Sequence, residues 1–453
     1  MTNNNPTPDI RPNRLSKSEI DANFCDLHPP LSRSAALVAA DRCYFCYDAP
    51  CTTACPTGID IPAFIQKIRS DNLRGSAYTI LRENIMGGMC ARVCPTEVLC
   101  EAACVRNTHE NKPVDIGLLQ RYATDHVYAE RPALFTRAAS SGKRVAVIGA
   151  GPAGLSCAHR LTMLGHHVVV FERAPKAGGL NEYGIAAYKT VDDFVQQEID
   201  FILSIGGIEV RNEVELGVDF SLDELGDEYD AVFLGIGLGA VNALGIDNED
   251  IPGIESAIDY IADLRQAKDK SKLPVGKRVV VVGGGMTAID IAVQSKRLGA
   301  EQVDLVYRRG AEQMGASRFE QDLAYTNGVN IRHWATPLKV HACDNLYAIE
   351  FEETALDASG HLTTTGDTFV LTADKLFKAI GQRLVEDVLV GTTTSIQTAR
   401  GKIVVDEAQK TSLDKVWAGG DCVTCGDDLT VTAVQHGKVA AIAIDRSFES
   451  RGP

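Results

Sequence analysis

The stretch Arg144-Val-Ala-Val-Ile-Gly149-Ala-Gly151-Pro-Ala-Gly154 decides the fold of the chain. Its apolar start is typical of a strand buried in a parallel sheet. In the glycine pattern, the first glycine makes a tight turn, the second lets the backbone approach a pyrophosphate, and the third lets the next helix pack closely on the strand. A second apolar run ends in Glu172, where an acid binds the adenosine ribose. These features predict a strand–helix–strand unit that binds a dinucleotide.

The chain contains this unit twice. The stretch Arg278-Val-Val-Val-Val-Gly283 repeats Arg144-Val-Ala-Val-Ile-Gly149 at an offset of 134 residues. Gly285 then takes the second glycine position, and Ala288 takes the third, where alanine is tolerated. Two nucleotide-binding folds in tandem indicate that one nucleotide passes electrons to the other. We expect FAD at the first site and NAD(H) at the second.

The end of a predicted strand in the second unit leaves the choice of coenzyme open. Arg308 and Arg309 stand where an NAD site often carries an acid. They would bind a 2′-phosphate and favour NADPH, or they would merely end a strand in solvent. Both coenzymes therefore stay open on the sequence.

A motif near the end of the chain favours a divided FAD domain. Gly419-Gly420-Asp421 follows a predicted strand and resembles the second FAD motif of flavoproteins with two dinucleotide-binding domains. The resemblance implies that Asp421 holds the ribityl chain or the pyrophosphate. We expect an FAD-binding domain built from residues 143–253 and 377–453. An NAD(P)-binding domain at residues 254–376 would be inserted in it.

Eight cysteines upstream form two quartets: Cys43, Cys46, Cys51 and Cys55, then Cys90, Cys94, Cys100 and Cys104. The first quartet ends in Cys-Pro and is close to ferredoxin spacing, in which the last cysteine binds the other cluster. Thiolates are soft donors that suit iron. A pair of zinc sites is the alternative, and its usual spacing fits less well. Spacing alone makes Cys90 the fourth ligand of the second quartet.

Composition and charge exclude several classes of function. The chain has 453 residues, 45% of them hydrophobic, which is enough for about three domains. Its net charge of −15 argues against binding to nucleic acids or anionic membranes. A membrane-spanning helix needs about 18 consecutive apolar residues, and no apolar run approaches that length. No export signal is visible. We expect a cytoplasmic protein whose cysteines bind metal rather than form disulfides.

The region before the first unit is predicted to be a helical 4Fe–4S domain over residues 1–142. The pattern looks helical from about residue 31 to 128, broken by the cysteine loops. The first 24 or so residues are polar and contain prolines, so we expect a loose arm there.

Three further side chains each have a functional interpretation and a structural one. Lys189, in Gly184-Ile-Ala-Ala-Tyr-Lys, is a candidate for the reactive edge of the flavin. Cys422 and Cys425 form a Cys-x-x-Cys pair, a spacing that is also found in redox dithiols. Because the pair directly follows Asp421, an ordinary structural role is favoured. No general acid or base is expected, since the cofactors carry the chemistry.

The N-terminal block resembles that of dihydropyrimidine dehydrogenases. The matching segments are Arg42-Cys-Tyr-Phe-Cys-Tyr-Asp-Ala-Pro-Cys-Thr-Thr-Ala-Cys-Pro-Thr-Gly-Ile-Asp-Ile-Pro, Cys94-Pro-Thr-Glu-Val-Leu-Cys-Glu-Ala-Ala-Cys and Asp115-Ile-Gly-Leu-Leu-Gln-Arg-Tyr-Ala-Thr. The resemblance covers nearly the whole chain after about residue 25. It includes Gly178-Gly179-Leu-Asn-Glu-Tyr-Gly-Ile and implies that Gly179 contributes to the cofactor site.

The resemblance also implies the metal ligands. One 4Fe–4S cluster would take Cys43, Cys46, Cys51 and Cys104. The other would take Cys55, Cys94, Cys100 and the side chain of Gln120, which makes Cys90 a bystander. In the related small subunit of glutamate synthase, the position of Gln120 usually carries glutamate, so Gln120 favours pyrimidine reduction.

The chain ends before the FMN barrel of the long single-chain enzymes. It therefore resembles the electron-input subunit of the two-subunit bacterial enzyme, for which NADH is the usual coenzyme. That subunit passes electrons from NADH through FAD and two 4Fe–4S clusters to an FMN-containing catalytic subunit that reduces uracil or thymine. The alternatives are a glutamate synthase small subunit, a reductase of ferredoxin, quinone or sulfur compounds, and a redox-sensing module without enzymatic activity.

Overall fold

The structure is a computed structural model, and it describes residues 15–343, 346–389 and 396–450. The chain forms two compact units. The small unit contains the residues up to 27 together with 183–191 and 240–382, and the large unit contains 28–182, 192–239 and the residues from 383 onward. The domain ranges expected from the sequence stay a prediction.

The helices, in chain order, are α1 Lys17–Asn23, α2 Arg33–Asp41, α3 Pro50–Ala54, α4 Ile61–Arg69, α5 Leu73–Leu81, α6 Gly87–Val93, α7 Val105–Glu110, α8 Ile116–Glu130, α9 Pro152–Met163, α10 Leu180–Tyr183, α11 Phe194–Leu203, α12 Leu222–Glu228, α13 Ala257–Gln266, α14 Met286–Arg297, α15 Arg318–Thr326 and α16 Thr430–Ser450. Within the described residues, none of them is long and apolar enough to cross a membrane.

The strands are β1 Arg144–Ile148, β2 His167–Glu172, β3 Ile208–Asn212, β4 Ala231–Leu234, β5 Ala240–Val241, β6 Ile254–Ser256, β7 Arg278–Val282, β8 Gln302–Tyr307, β9 Asn330–His333, β10 Ala335–Cys343, β11 Leu346–Leu356, β12 Leu362–Ala373, β13 Lys375–Lys378, β14 Gln382–Arg383, β15 Thr398–Ala399, β16 Lys402–Ile403 and β17 Val416–Ala418.

The large unit contains a parallel sheet in the order β17-β4-β1-β2-β3. Strand β1 pairs with β2 on one side and with β4 on the other, and its residues 145–148 are buried as the apolar run predicts. Strand β17 comes from the far end of the chain and pairs with β4, with Trp417 opposite Phe233. The sheet is therefore completed by a late segment, which confirms the expected insertion of one nucleotide-binding fold in the other.

The helices α2 to α8 confirm the helical character of the N-terminal region. Helix α4 buries Ile61, Phe64, Ile65 and Ile68, which is the i, i+3, i+4, i+7 pattern of a helix with one apolar face. Asp60 caps its start by accepting a hydrogen bond from the Ala63 N–H, at 3.0 Å. The cysteine loops pack against this core.

The small unit repeats the same design. Its parallel sheet has the order β6-β13-β7-β8-β9, and α14 follows β7 as α9 follows β1. Both helices have 12 residues and begin directly after the second glycine of their pattern. The internal repeat predicted from the sequence is therefore confirmed. An antiparallel sheet of β10, β11 and β12 completes the unit.

The expected loose arm is wrong for residues 15–24, and residues 1–14 lie outside the described part. The side chain of Ser16 accepts from the Glu19 N–H while Glu19 caps the Ser16 N–H, so α1 starts with a capping box. Ile20 and Phe24, one turn apart, are buried in the core of the small unit. Burial of these two apolar side chains holds the segment on the small unit, although most of its residues are polar.

Candidate functional site

The glycine turn after β1 accepts no larger side chain at its first and third positions. Gly149 has a φ of +95°, and a Cβ there would overlap the carbonyl oxygen of Gly235. A Cβ at Gly154 would overlap the carbonyl oxygen of Gly149. Gly151 is the N-cap of helix α9 and provides no side-chain cap, so the first N–H groups of the helix are left for an anion. This turn fits the pyrophosphate of a dinucleotide.

Gly179 and Glu172 border the same turn. Gly179 has a φ of +53°, and a Cβ there would come within 2.8 Å of the Gly151 Cα. The carboxylate of Glu172 accepts hydrogen bonds from the N–H groups of Ala150, at 2.7 Å, and Ala174, at 2.8 Å. Glu172 is therefore held at the edge of the glycine turn, where an adenosine ribose would lie.

The second predicted FAD motif, Gly419-Gly420-Asp421, packs against the first turn of α9. A Cβ at Gly420 would meet the Ala153 Cβ at 3.1 Å, and a Cβ at Gly437 would overlap the Ala153 carbonyl oxygen. Helix α16 therefore packs on α9 at glycine distance. Desolvation, with the charge of Asp428, raises the pKa of Asp421 to about 6. The fold thus brings together two motifs that are about 270 residues apart in the chain.

The glycine turn of the small unit has the same form. A Cβ at Gly283 would overlap the carbonyl oxygen of Ala379, whereas a Cβ at Gly285 would meet no described atom within 4 Å. Gly285 is the N-cap of α14, which has no side-chain cap. Ala288 is buried in the third position. Open space over an uncapped helix start fits the phosphates of a nicotinamide coenzyme.

Arg308 and Arg309 follow β8 directly. Their backbone carbonyls accept hydrogen bonds from the Thr354 hydroxyl, at 2.8 Å, and the Trp334 N–H, at 3.3 Å. Within residues 15–343, 346–389 and 396–450, neither guanidinium has an ion pair or a hydrogen bond. Both are therefore available to a 2′-phosphate.

Lys189 lies in a buried ion cluster of the small unit. Its Nζ is 2.8 Å from Asp290 Oδ1 and 2.7 Å from Glu320 Oε1, and the residue is 8% exposed. Burial lowers the pKa of Lys189, but the two carboxylates outweigh it and hold the pKa above its ordinary value. The observed contacts are structural, and the expected role beside the flavin stays a prediction.

The first set of cysteines lines one cavity. Cys43 and Cys46 reach it from the loop after α2, Cys51 from α3, and Cys104 from the start of α7. The Phe45 N–H donates to Cys43 Sγ at 3.4 Å, as N–H groups do around cluster sulfurs. Four soft donors around one cavity fit a 4Fe–4S cluster.

Two features indicate that this cysteine loop is shaped to bind a metal cluster. Phe45 and Ala49 adopt left-handed backbone conformations with φ of 54° and 36°, which cost strain in residues with a side chain. Desolvation raises the pKa of Cys43 and raises that of Cys51 to about 12. Without metal these thiols therefore keep their protons, which a metal would displace.

The second set of cysteines gathers around Cys94. A hydrogen bond with Cys90 and then desolvation raise the pKa of Cys94, and the charges of Cys100 and Cys55 act in the same direction. The Sγ atom of Cys55 is 3.3 Å from the Thr57 hydroxyl. Cys55, Cys94 and Cys100 therefore lie near one another, and their role as metal ligands stays a prediction.

Two residues compete for the fourth position of this set. Gln120 is buried on α8, and its Nε2 donates to the Gly87 carbonyl oxygen at 2.6 Å. Its Oε1 has no hydrogen-bond partner in the described part of the chain and is left as a donor for a metal. Cys90 is also buried, and it contacts Cys94 directly.

Among the described residues, no group of three or more His, Cys, Asp or Glu is found that could hold a single metal ion. A zinc site needs its thiolates about 2.3 Å from one point, whereas a 4Fe–4S cluster spreads its ligands over the corners of a cube.

Sequence reasoning missed two charged side chains near the cysteines. Glu198 is buried on α11, and its Oε1 accepts from the N–H groups of Gly88 and Met89, at 2.9 and 3.0 Å, and from the Tyr128 hydroxyl, at 2.8 Å. Lys438 reaches the cysteine region from α16. A charge on the apolar face of a helix was the signal available for both.

Comparisons with known proteins agree with this geometry. The family model of pyridine nucleotide-disulphide oxidoreductases matches residues 143–437, and that of dihydropyrimidine dehydrogenase domain II, 4Fe–4S cluster, matches residues 20–132. The small chain of the NADPH glutamate synthase of Escherichia coli is 34% identical over 96% of both chains. The subunit PreT of the NAD-dependent dihydropyrimidine dehydrogenase of Salmonella typhimurium is 34% identical over 94% of this chain and 98% of the relative.

A solved structure supports the fold alone. FprA of Mycobacterium tuberculosis in complex with NADPH aligns with a TM-score of 0.56 at 17% identity, over 68% of this chain and 85% of that one.

The chain belongs to the pyridine nucleotide-disulphide oxidoreductase family and adds an N-terminal 4Fe–4S domain. It is an NAD(P)H-dependent flavoprotein oxidoreductase that transfers electrons, with binding domains for FAD, NAD(P) and iron–sulfur.

Proposed function

We propose that this chain is the electron-input subunit of an NAD-dependent dihydropyrimidine dehydrogenase in the cytoplasm. It takes electrons from NADH and passes them to an FMN-containing catalytic subunit that reduces uracil or thymine. The observation that carries the choice is Gln120, a buried amide with a free oxygen, because glutamate is expected there in the small subunit of glutamate synthase. A relative of nearly equal length, named as a subunit of an NAD-dependent dihydropyrimidine dehydrogenase, supports the proposal.

The side chains of this chain bind and orient its cofactors. A bound FAD would supply a site that takes up a hydride from the nicotinamide and gives up single electrons to the clusters. Gly149, Gly151 and Gly154 would leave space for the pyrophosphate, Glu172 would bind the ribose, and Asp421 would hold the ribityl chain or the pyrophosphate.

We propose two clusters in the large unit. Cys43, Cys46, Cys51 and Cys104 would hold the first, because they line one cavity. The second would be held by Cys55, Cys94, Cys100 and Gln120 in the assignment that the family resemblance implies. If Cys90 were the fourth ligand instead, the two clusters would remain, but Gln120 would no longer support the choice of pyrimidine reduction.

We propose NADH as the coenzyme, which the family resemblance implies. The free guanidinium groups of Arg308 and Arg309 are the one feature that favours NADPH instead. Comparing kcat/KM for the two coenzymes in the wild-type chain and in a variant with Arg308→Ala and Arg309→Ala tests this choice. A loss for NADPH alone means that the arginines bind a 2′-phosphate. An equal loss for both coenzymes means that they only support the strand end.

The second candidate is the small subunit of a glutamate synthase. A 34% identical relative of that name, matched over 96% of its length, favours it. Affinity purification of the tagged chain from its host under anaerobic conditions separates the two functions. A partner of similar size that carries FMN and reduces uracil with NADH supports the proposal. A very large partner that hydrolyses glutamine overturns it.

A further inference from the structure

Glu198 is a buried carboxyl group that is hydrogen-bonded to a helix of the second set of cysteines. It lies on α11 of the large unit and is 2% exposed. Its Oε1 accepts hydrogen bonds from the N–H groups of Gly88, at 2.9 Å, and Met89, at 3.0 Å, in the first turn of α6. The Tyr128 hydroxyl of α8 donates to the same oxygen at 2.8 Å. The proposed binding of the cofactors does not use this carboxyl group.

Two proposed ligands of the second cluster are attached to the same helix. The carbonyl oxygen of Gly87, the first residue of α6, accepts from Gln120 Nε2 at 2.6 Å. Cys94 is the C-cap of this helix, which has 7 residues. A helix of that length spans about 10 Å. A charge at the second cluster and a charge at Glu198 would therefore act on each other across one short helix.

The charged groups that face Glu198 leave one positive charge for it to neutralise. Arg92 of α6 pairs with Asp125 of α8 at 2.7 Å, and Arg121 pairs with the same carboxylate at 3.1 Å. Two guanidinium groups and one carboxylate sum to a charge of about +1. The carboxylate of Glu198 cancels this charge. An added electron nearby would make the region negative unless a carboxylate there takes up a proton.

The carboxyl group of Glu198 can exchange a proton near neutral pH. Burial disfavours its charged form, whereas its three hydrogen bonds and the charge of Arg92 favour it, and the balance raises the pKa of Glu198 to about 7. Burial also raises the pKa of Tyr128, so the hydroxyl keeps its proton and cannot take up another. A further negative charge nearby would raise the proton affinity of Glu198.

We propose that Glu198 takes up one proton from solvent when the second cluster receives an electron. The electron comes from NADH by way of the flavin. The cluster is reduced by one electron and the carboxylate becomes a carboxylic acid, so the net charge of the region is unchanged. Linkage is reciprocal, so the proton also favours reduction. The inference rests on the second cluster of the proposed function, with either Gln120 or Cys90 as its fourth ligand, and it does not depend on the partner subunit.

The test is a redox titration of the purified chain without oxygen, followed by EPR, between about pH 6 and pH 9. We expect reduction to raise the proton affinity of Glu198 on the order of tenfold. The midpoint potential of the second cluster should therefore fall by about 59 mV in total over this range, which is a tenfold change for a one-electron couple. The first cluster, whose proposed ligands lie on other elements, is the internal control and should change less.

Two variants separate a proton site from a merely structural side chain. Glu198→Gln keeps the acceptor oxygen but cannot take up the proton, so the potential of the second cluster should become independent of pH. Tyr128→Phe removes one donor to the carboxylate, so the pH range of the fall should move up by about one unit. The second variant keeps Glu198 and tests the inference even if Glu198→Gln does not fold.

Three results would overturn the inference. The first is a second-cluster potential that does not depend on pH in the wild-type chain. The others are a dependence that persists in Glu198→Gln and one that does not move in Tyr128→Phe. A chain that holds only one cluster would overturn the second cluster as well. A partner other than a pyrimidine reductase would overturn the proposed function and leave the role of Glu198 intact.

Discussion

Lys438 donates a hydrogen bond from its Nζ to the carbonyl oxygen of Thr57, at 2.9 Å. The ammonium group also pairs with Glu83 at 3.1 Å and acts electrostatically on Cys55. The C-terminal helix of the flavin-binding fold thus carries a positive charge to the loop of a predicted cluster ligand. Cluster potentials depend on nearby charge and hydrogen bonds.

The first prediction concerns this charge. A positive charge stabilises the reduced cluster, so Lys438→Met should lower the midpoint potential of the cluster that includes Cys55. We expect a shift on the order of 50 mV, where 59 mV is a tenfold change for a one-electron couple. A redox titration followed by EPR measures it. Lys438→Arg, which keeps the charge, should stay close to the wild type, and an equal shift in both variants would contradict the account.

The second prediction concerns Glu198 and pH. Burial raises the pKa of Glu198 to about 7, although Tyr128, Arg92 and backbone N–H groups favour its charged form. Between about pH 4.5 and 7 the folded chain therefore keeps a proton that the unfolded chain has released. Glu198 thus makes stability fall as the pH rises through this window, by up to about 3 kcal/mol.

Glu198→Gln is uncharged at every pH and should lack this dependence. The difference in melting temperature between the variant and the wild type should grow in favour of the variant from pH 5 to pH 7.5. A difference that stays constant with pH would show that the carboxyl group does not titrate there.

The third prediction separates two roles of Lys189. Lys189→Met leaves the buried carboxylates of Asp290 and Glu320 without their cation, so we expect a loss of about 3–5 kcal/mol in unfolding free energy. Arg33→Met, which breaks an exposed pair with Asp71, serves as the control and should cost less than about 1 kcal/mol. Normal stability with slow reduction of the flavin by NADH would instead support the role beside the flavin.

The fourth prediction concerns the ligands of the second cluster. Gln120→Ala should change the EPR spectrum or the potential of one cluster, because it removes the proposed oxygen ligand. Cys90→Ala should leave the iron content unchanged. Loss of about four iron atoms per chain in Cys90→Ala, with a normal spectrum in Gln120→Ala, would transfer the ligand role to Cys90.

The sequence predicts well those features whose residues are neighbours in the chain. The glycine turns at Gly149 and Gly283, the strands before them and the helices after them are local patterns with one physical explanation each. The helix of Lys17–Asn23 was missed, although the capping box of Ser16 and Glu19 is also local. The polar, proline-containing composition of this stretch masks the helix signal of the capping box.

Features that depend on distant segments were not accessible. Asp290 and Glu320, whose carboxylates pair with Lys189, lie more than 100 residues away from it in sequence. The amide of Gln409 and the imidazole of His436, which lie beside Cys425, come from separate segments. Such contacts are set by the packing of elements, which hydrophobic periodicity does not specify. Lys438 belongs to the same group, since its partners are more than 350 residues away.

The central claim is that one chain takes electrons from a nicotinamide coenzyme into two iron–sulfur clusters. The most direct measurement is iron and flavin analysis of the chain purified without oxygen, followed by reduction with NADH and EPR. The account predicts about eight iron atoms and one FAD per chain, with EPR signals of reduced clusters after NADH is added. About four iron atoms or fewer, or clusters that stay oxidised while the flavin is reduced, would contradict it.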